Sequence, residues 1–165
     1  MALRIIERPS PNCGSRHGAP IDCLVIHDTE CATAAAALSW FESPDSKVSA
    51  HYVIDRSGSV YRCVAEEARA WHAGPSVIDG RADVNTYSIG IEMVGFATGD
   101  YTAEQIDALV ELATGLCLKY RIPVERIVGH EDIAVPAGRK TDPGPHFPWT
   151  EVRGRITVAL ATFVT

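Results

Sequence analysis

The stretch "GHEDIAVPAGRKTDPGPHFPW" (129–149) gathers a histidine, His130, with acids, the adjacent cations Arg139 and Lys140, and Asp142, all between glycines and prolines. Lys140 and Asp142 are two residues apart, and Pro143 favours an extended chain before it, so their side chains fall on one side. A second histidine, His27, stands near the end of the apolar run "IDCLVIHD" (21–28). Both histidines sit where a strand pattern runs out, which is where open α/β sheets bind ligands. Brought together, two imidazoles and one carboxylate make a three-ligand zinc shell whose fourth tetrahedral position stays open for water, the arrangement of a catalytic site. Taken singly, each histidine reads equally as a hydrogen-bonded rim or core residue. Lys140 and Asp142 read equally as a solvated pair contributing about 0–1 kcal/mol.

The elements that must position these groups can be read along the chain. Residues 21–28 are β-branched and bounded by turn residues, which predicts a buried central strand. "ATAAAALSWFESP" (32–44) is alanine-rich and stops at a proline, as a helix does. "VSAHYVID" and "SVYRCV" flank Arg56-Ser57-Gly58 and predict a hairpin over 48–64. "TYSIGIEMVG" (86–95) alternates, with Tyr87, Ile89, Ile91 and Met93 on one face and Ser88, Gly90 and Glu92 on the other, a small face apart from its one carboxylate. "TAEQIDALVELATGLCLKYRI" opens on a capping box, Thr102 with Gln105, and repeats apolar residues at helical spacing up to Pro123. "RIVG" (126–129) is a short strand leading into His130, and 150–163 a terminal helix. Residues 1–20 read as an extended lead-in, and a loop rich in Trp, His, Gly and Pro runs to about residue 85. Strands interleaved with helices predict a single α/β domain over 1–165, its sheet covered on both sides.

A chain of 165 residues can bury one sizeable core without disulfide support. No apolar run approaches the roughly 20 residues of a membrane span. The start, MALRIIERPSPNCGSRHG, breaks into charge and proline too early for a signal peptide, so cytoplasmic synthesis and no membrane insertion are expected. The net charge of −6 with scattered cations argues against nucleic acid and anionic membranes as partners. Cys13, Cys23, Cys31, Cys63 and Cys117 are odd in number and hold no CxxC pair, so reduced and mostly buried thiols are expected.

From residue 22 to 149, "LVIHDT", "KVSAHYVIDRSGSVYRCV", "RAWHAG", "NTYSIGIEMVG" and "VGHEDI…GRKTDPGPHFPW" follow one another in the order of a known family. The chain resembles the zinc-dependent N-acetylmuramoyl-L-alanine amidases of the amidase-2 group, whose fold is shared with peptidoglycan recognition proteins and small phage lysozyme-amidases. The resemblance implies a mixed central β-sheet flanked by helices and one Zn2+ per chain, held by His27, His130 and Asp142. It makes Glu92 and Lys140 the catalytic side chains. It places His51 beside the metal as a supporting or substrate-contacting residue. Trp71 and His72 would offer an aromatic face to a sugar or peptide, Asn85 would bind substrate amides, and substrate would lie across the small face of Ser88 and Gly90. The implied reaction is hydrolysis of the bond between N-acetylmuramic acid and L-alanine in peptidoglycan or a muropeptide, by a monomer serving wall turnover or recycling, or phage-type lysis as an endolysin that reaches the cell wall.

Three features depart from the recycling members of that group. The loop carrying Val135 and Ala137 is two residues longer. The segment between His27 and "KVSAH" is shorter, which implies a more open cleft able to admit polymeric peptidoglycan. Arg81 is followed by Asp83 where those enzymes carry a second arginine, which weakens the case for anhydro-muropeptide specificity. Two other functions stay open: a non-catalytic peptidoglycan-binding module, and a zinc hydrolase of another amide, though no HExxH is present. His17 and His146 are expected to face solvent.

Overall fold

The computed structural model describes residues 3–163. In chain order the elements are β1 (Ile5–Glu7), β2 (Cys13–Ser15), β3 (Cys23–Asp28), α1 (Ala34–Glu42), β4 (Tyr52–Ile54), β5 (Val60–Arg62), β6 (Ala68–Ala70), β7 (Val77–Ile78), β8 (Arg81–Ala82), β9 (Ser88–Met93), α2 (Ala103–Tyr120), β10 (Ile127–Gly129), α3 (His130–Ile133) and α4 (Trp149–Ala161). Six strands form one sheet in the order β1-β5-β4-β9-β3-β10. Every neighbouring pair is parallel except the β4–β5 hairpin, so the sheet is mixed, as the family resemblance implied.

β3 and β9 are buried along their whole lengths, which is why their sequences are so apolar. On one face Leu24, Ile26, Tyr52, Ile54, Ile89, Ile91 and Met93 pack under α2 and α4. Removing each such aliphatic side chain from water contributes roughly 1.5–3 kcal/mol. α2 begins at the expected capping box: Gln105 N donates to Thr102 Oγ1 and Thr102 N to Gln105 Oε1, both at 3.1 Å. α4 buries only Val152 and Ile156, which matches its weak periodicity. On the other face Leu38 and Phe41 of α1 cover Val53, Cys63 and Val94. Beside them Cys23 and Val25 pack with Ala73, Val84 and Ile133. Tyr87 joins this second face rather than the side of Ile89, because it precedes β9 and ends a 3-10 turn, outside the strand's alternation.

The first twenty residues are more than a lead-in, although residues 1 and 2 lie outside the described part. β1 adds a parallel strand to the sheet edge and β2 pairs with β6. Asn12 is buried and donates from Nδ2 to the carbonyls of Phe41 (3.2 Å), Ser43 (2.9 Å) and Val48 (3.0 Å). Arg16 is buried too, and its guanidinium donates to the carbonyls of Glu66, Asn85, Thr86 and Ser88. Arginine is selected here for five donors in a fixed fork. All five thiols are free, with Cys23, Cys63 and Cys117 buried.

Asn12→Ala removes a buried donor shared by the carbonyls of Phe41, Ser43 and Val48, which keep hydrogen bonds from Ser10 and Ser46, so the loss is that of net hydrogen bonds at about 0.5–1.5 kcal/mol each. A lowered urea midpoint with an unchanged m-value is the expected result. An unchanged midpoint would mean water replaces the amide there.

Candidate metal centre and active-site cleft

Parallel register sets the site. Pairing places His27 of β3 opposite Glu92 of β9, and Gly129 of β10 opposite Ile26. His130, the next residue, therefore comes level with His27. The loop after α3 returns to the same place, held where Glu131 N donates to Asp142 O at 2.9 Å. As a result His27 Nδ1 lies 3.0 Å from His130 Nδ1, and Asp142 Oδ2 lies 3.2 Å and 3.1 Å from those two nitrogens. Ligand atoms 2.0–2.1 Å from a tetrahedral ion stand about 3.3 Å apart, close to these three edges.

The chemistry of the set fits a cation. His130 Nε2 lies 3.0 Å from the Ala73 carbonyl, which can only accept, so the neutral ring puts its N–H there and turns the Nδ1 lone pair towards Asp142. Burial pulls His27 down to about 4, so it is uncharged at neutral pH. Burial pushes Asp142 up, but its contacts with His130 and His27 outweigh that and hold it below the usual carboxylate range. Three electron-rich atoms thus crowd one point with at most one neutral-ring N–H among them. Two imidazoles and a carboxylate are donors that zinc accepts.

The three groups line a cleft of about 240 Å³ together with Glu92, Lys140, Asp28 and Trp71. Glu92 is 8% exposed, and its Oε2 is buried without a hydrogen-bond partner among the described residues. Burial first, and then the charges of Asp142 and Asp28, push its carboxyl well above the ordinary 4.5, against an opposing pull from Lys140. Asp28, next to His27, is raised to about 7, again chiefly by burial. Lys140 is exposed and lines the same cleft.

The structure thus brings His27, His130, Asp142, Glu92, Lys140, Trp71 and His72 together around the cleft. His51 and Asn85 do not line the cleft. His51 is fully buried; its Nδ1 accepts from Gly90 N at 3.0 Å and its Nε2 lies 3.0 Å from the Ala68 carbonyl. Asn85 Oδ1 accepts from the backbone N–H groups of His72 (3.0 Å) and Ala73 (2.8 Å). His72 turns inward, with Nδ1 2.9 Å from His27 Nε2 and Nε2 2.9 Å from Ser88 Oγ. Its ring, not a substrate, lies over the small face of β9. A Cβ added at Gly90 would stand only 2.7 Å from His72 Nδ1 and 2.8 Å from Cδ2.

Several site residues were not singled out from sequence. Asp28 was signalled only by adjoining His27. Trp40 lines the cleft and is 59% exposed. Its clue was two aromatics in succession on α1, which cannot both face the core. Arg139 donates to the carbonyls of Ala73 (2.9 Å), Pro75 (2.8 Å) and Val135 (3.0 Å), which ties the long loop to residues 73–75. Arg81 pairs with Asp22 at 2.7 Å and Asp83 with Arg69 at 2.5 Å, and neither lines the cleft. His17 and His146 are exposed.

Two outcomes follow for stability. Gly90→Ala overpacks His72 and costs at least about 1–3 kcal/mol. Because the collision is with that one ring, Gly90→Ala combined with His72→Ala costs less than the sum of the single changes; strict additivity would show the two residues to be uncoupled. In metal-free protein the raised carboxyl of Glu92 means the folded state binds more protons than the unfolded one once the pH passes 4.5. Stability is therefore lost as pH rises through that window. The advantage of Glu92→Gln over the native chain grows over the same interval, and denaturation at several pH values would reveal a flat difference if burial were not acting.

Comparison with known proteins agrees with this geometry. Residues 17–145 match the N-acetylmuramoyl-L-alanine amidase family, amidase-2. The 1,6-anhydro-N-acetylmuramyl-L-alanine amidase AmpD of Enterobacter cloacae is 42% identical over 179 residues, covering 98% of this chain and 94% of that protein. The crystal structure of a selenomethionine AmpD derivative superposes with a TM-score of 0.81 at 31% identity, over 94% of this chain and 99% of that one. The amidase AmiD of E. coli, in complex with anhydro-N-acetylmuramic acid-L-Ala-D-gamma-Glu-L-Lys, superposes with a TM-score of 0.76 at 29% identity, over 87% of this chain and 65% of that one. The chain belongs to the amidase-2 family and is an N-acetylmuramoyl-L-alanine amidase.

Proposed function

We propose that the chain uses one zinc ion to hydrolyse the amide between the lactyl carbonyl of N-acetylmuramic acid and L-alanine in muramyl peptides. The observation that carries this reading is the triangle of His27 Nδ1, His130 Nδ1 and Asp142 Oδ2 beside the unpartnered carboxyl of Glu92. Those three residues would hold the metal, which supplies Lewis acidity and a bound water of pKa about 7. Glu92 takes a proton from the attacking water and delivers one to the leaving L-alanine nitrogen, work that suits a buried carboxyl with a raised pKa. Lys140 presents its ammonium to the carbonyl oxygen as negative charge builds there. The bond between the carbonyl carbon and nitrogen breaks, hydroxyl goes to the carbonyl and hydrogen to the amine. The products are a muramyl carboxylate and a peptide with a free L-alanine terminus.

Trp71 and Trp40 form the apolar side of the cleft with Phe41 and Val48, and we assign Trp71 to substrate contact there. The names of the AmpD and AmiD relatives support a muramyl peptide as substrate class. Soluble anhydro-muropeptide and intact peptidoglycan are the two forms to compare.

The test is release of new L-alanine amino termini from both substrates, with metal content measured in parallel. About one zinc per native chain is expected, with activity removed by a chelator and restored by zinc. Glu92→Gln should keep its zinc and lose about 10²–10⁴ in rate, and Lys140→Ala about 10²–10³. A native chain that binds wall fragments and releases nothing would sink the catalytic reading in favour of a binding module. New termini elsewhere in the stem peptide would move the scissile bond.

A further inference from the structure

We infer that His72, held in its tautomer by Ser88, is a positioning residue that sets His27 in the tautomer whose Nδ1 lone pair faces the metal position. The inference rests on the zinc reading above and concerns residues outside the ligand set. His72 is 9% exposed and both its ring nitrogens are engaged: Nδ1 with His27 Nε2 and Nε2 with Ser88 Oγ, each at 2.9 Å. Ser88 Oγ in turn lies 2.7 Å from the Val84 carbonyl.

Hydrogen-bond polarity then runs one way. A carbonyl only accepts, so Ser88 gives its single proton to Val84 and accepts the Nε2–H of His72. A neutral imidazole protonated at Nε2 carries its lone pair at Nδ1, which accepts from His27 Nε2–H. That leaves His27 Nδ1 unprotonated, beside His130 Nδ1 and Asp142 Oδ2. Were Ser88 to turn its proton onto His72 instead, both rings would reverse and His27 would place an N–H where a ligand lone pair is needed. One hydroxyl rotor, held by one backbone carbonyl, therefore decides whether the donor set is competent.

His130 reaches the same state by a separate path, through the Ala73 carbonyl at 3.0 Å. The two paths start from adjacent residues, 72 and 73, and Asn85 Oδ1 binds the N–H of both. Gly90 leaves the room that lets the His72 ring reach His27. The "WHAG" loop thus orients both imidazole ligands, and partners of this kind commonly change metal affinity 10–100-fold when lost.

The first measurement is long-range proton–nitrogen NMR of histidine side chains in the native chain, zinc-free and zinc-loaded. Nε2–H on His72 in both states, and on His27 once zinc is bound, is expected; Nδ1–H on His72 in either state overturns the inference. The second is zinc affinity by competition with a chromophoric chelator. His72→Leu should weaken binding 10–100-fold, and His72→Gln, whose amide can accept from His27 and donate to Ser88, should restore most of it. Affinity of His72→Leu within about threefold of native would overturn the inference as well. Should the leucine variant fail to fold, the native spectra decide alone. A native chain that binds no zinc would remove the zinc reading, while its tautomers would still test this one.

Discussion

The crowding of two imidazole nitrogens and a carboxylate oxygen at 3.0–3.2 Å, in a place shielded from water, is the constraint on which the rest of the structure depends. Such atoms repel one another unless a cation or a proton lies between them, so the scaffold must hold them by force of packing. It does so with parallel strands, whose register puts β10, β3 and β9 level at one end of the sheet. Only side chains at those ends can meet, because the neighbouring positions are filled by Leu24, Ile26, Ile89 and Ile91 under α2.

One physical effect serves two groups in opposite ways. Desolvation disfavours charge, so it keeps the His27 imidazole neutral, with a free lone pair, and raises the pKa of the Glu92 carboxyl in the metal-free chain. Burial pushes Asp142 the same way as Glu92, but its contacts with His130 and His27 outweigh it and hold it below the usual range. The differing environments of Glu92 and Asp142, two carboxyls in one cleft, separate a group suited to proton transfer from a group suited to holding a cation.

The loop from Trp71 to Gly74 links these features. Its backbone carbonyl at Ala73 accepts from His130 and Arg139, its His72 ring fills the space above Gly90, and Asn85 pins its amides. Arg16, from the first twenty residues, bonds the carbonyls of Asn85, Thr86 and Ser88 just below. Of the residues that sequence suggested would touch substrate, His51 and Asn85 brace the ground on which the cleft stands, and His72 both lines the cleft and backs His27.

Much of the fold was legible because local rules are strong where they apply. The alternation of "SIGIEMV", the Thr102–Gln105 capping box and the alanine-rich run of α1 depend on residues within a few positions of one another, and each formed as read. The metal donors were legible as strand-end histidines and a Lys-x-Asp spacing, and their grouping came from the order of five motifs. What neighbouring residues cannot encode is which distant groups meet. Arg16 among polar residues, or Asn85 before a strand, carries no local mark of its partners 12 to 72 positions away. His72 looked like a loop residue open to substrate because its burial is created only when β9 presents Gly90 to it. Sequence by itself determined the elements and the chemical types available at the sheet's end. Tertiary structure alone decided which imidazoles stand in front and which behind, because that depends on register and on the volume left by one missing Cβ.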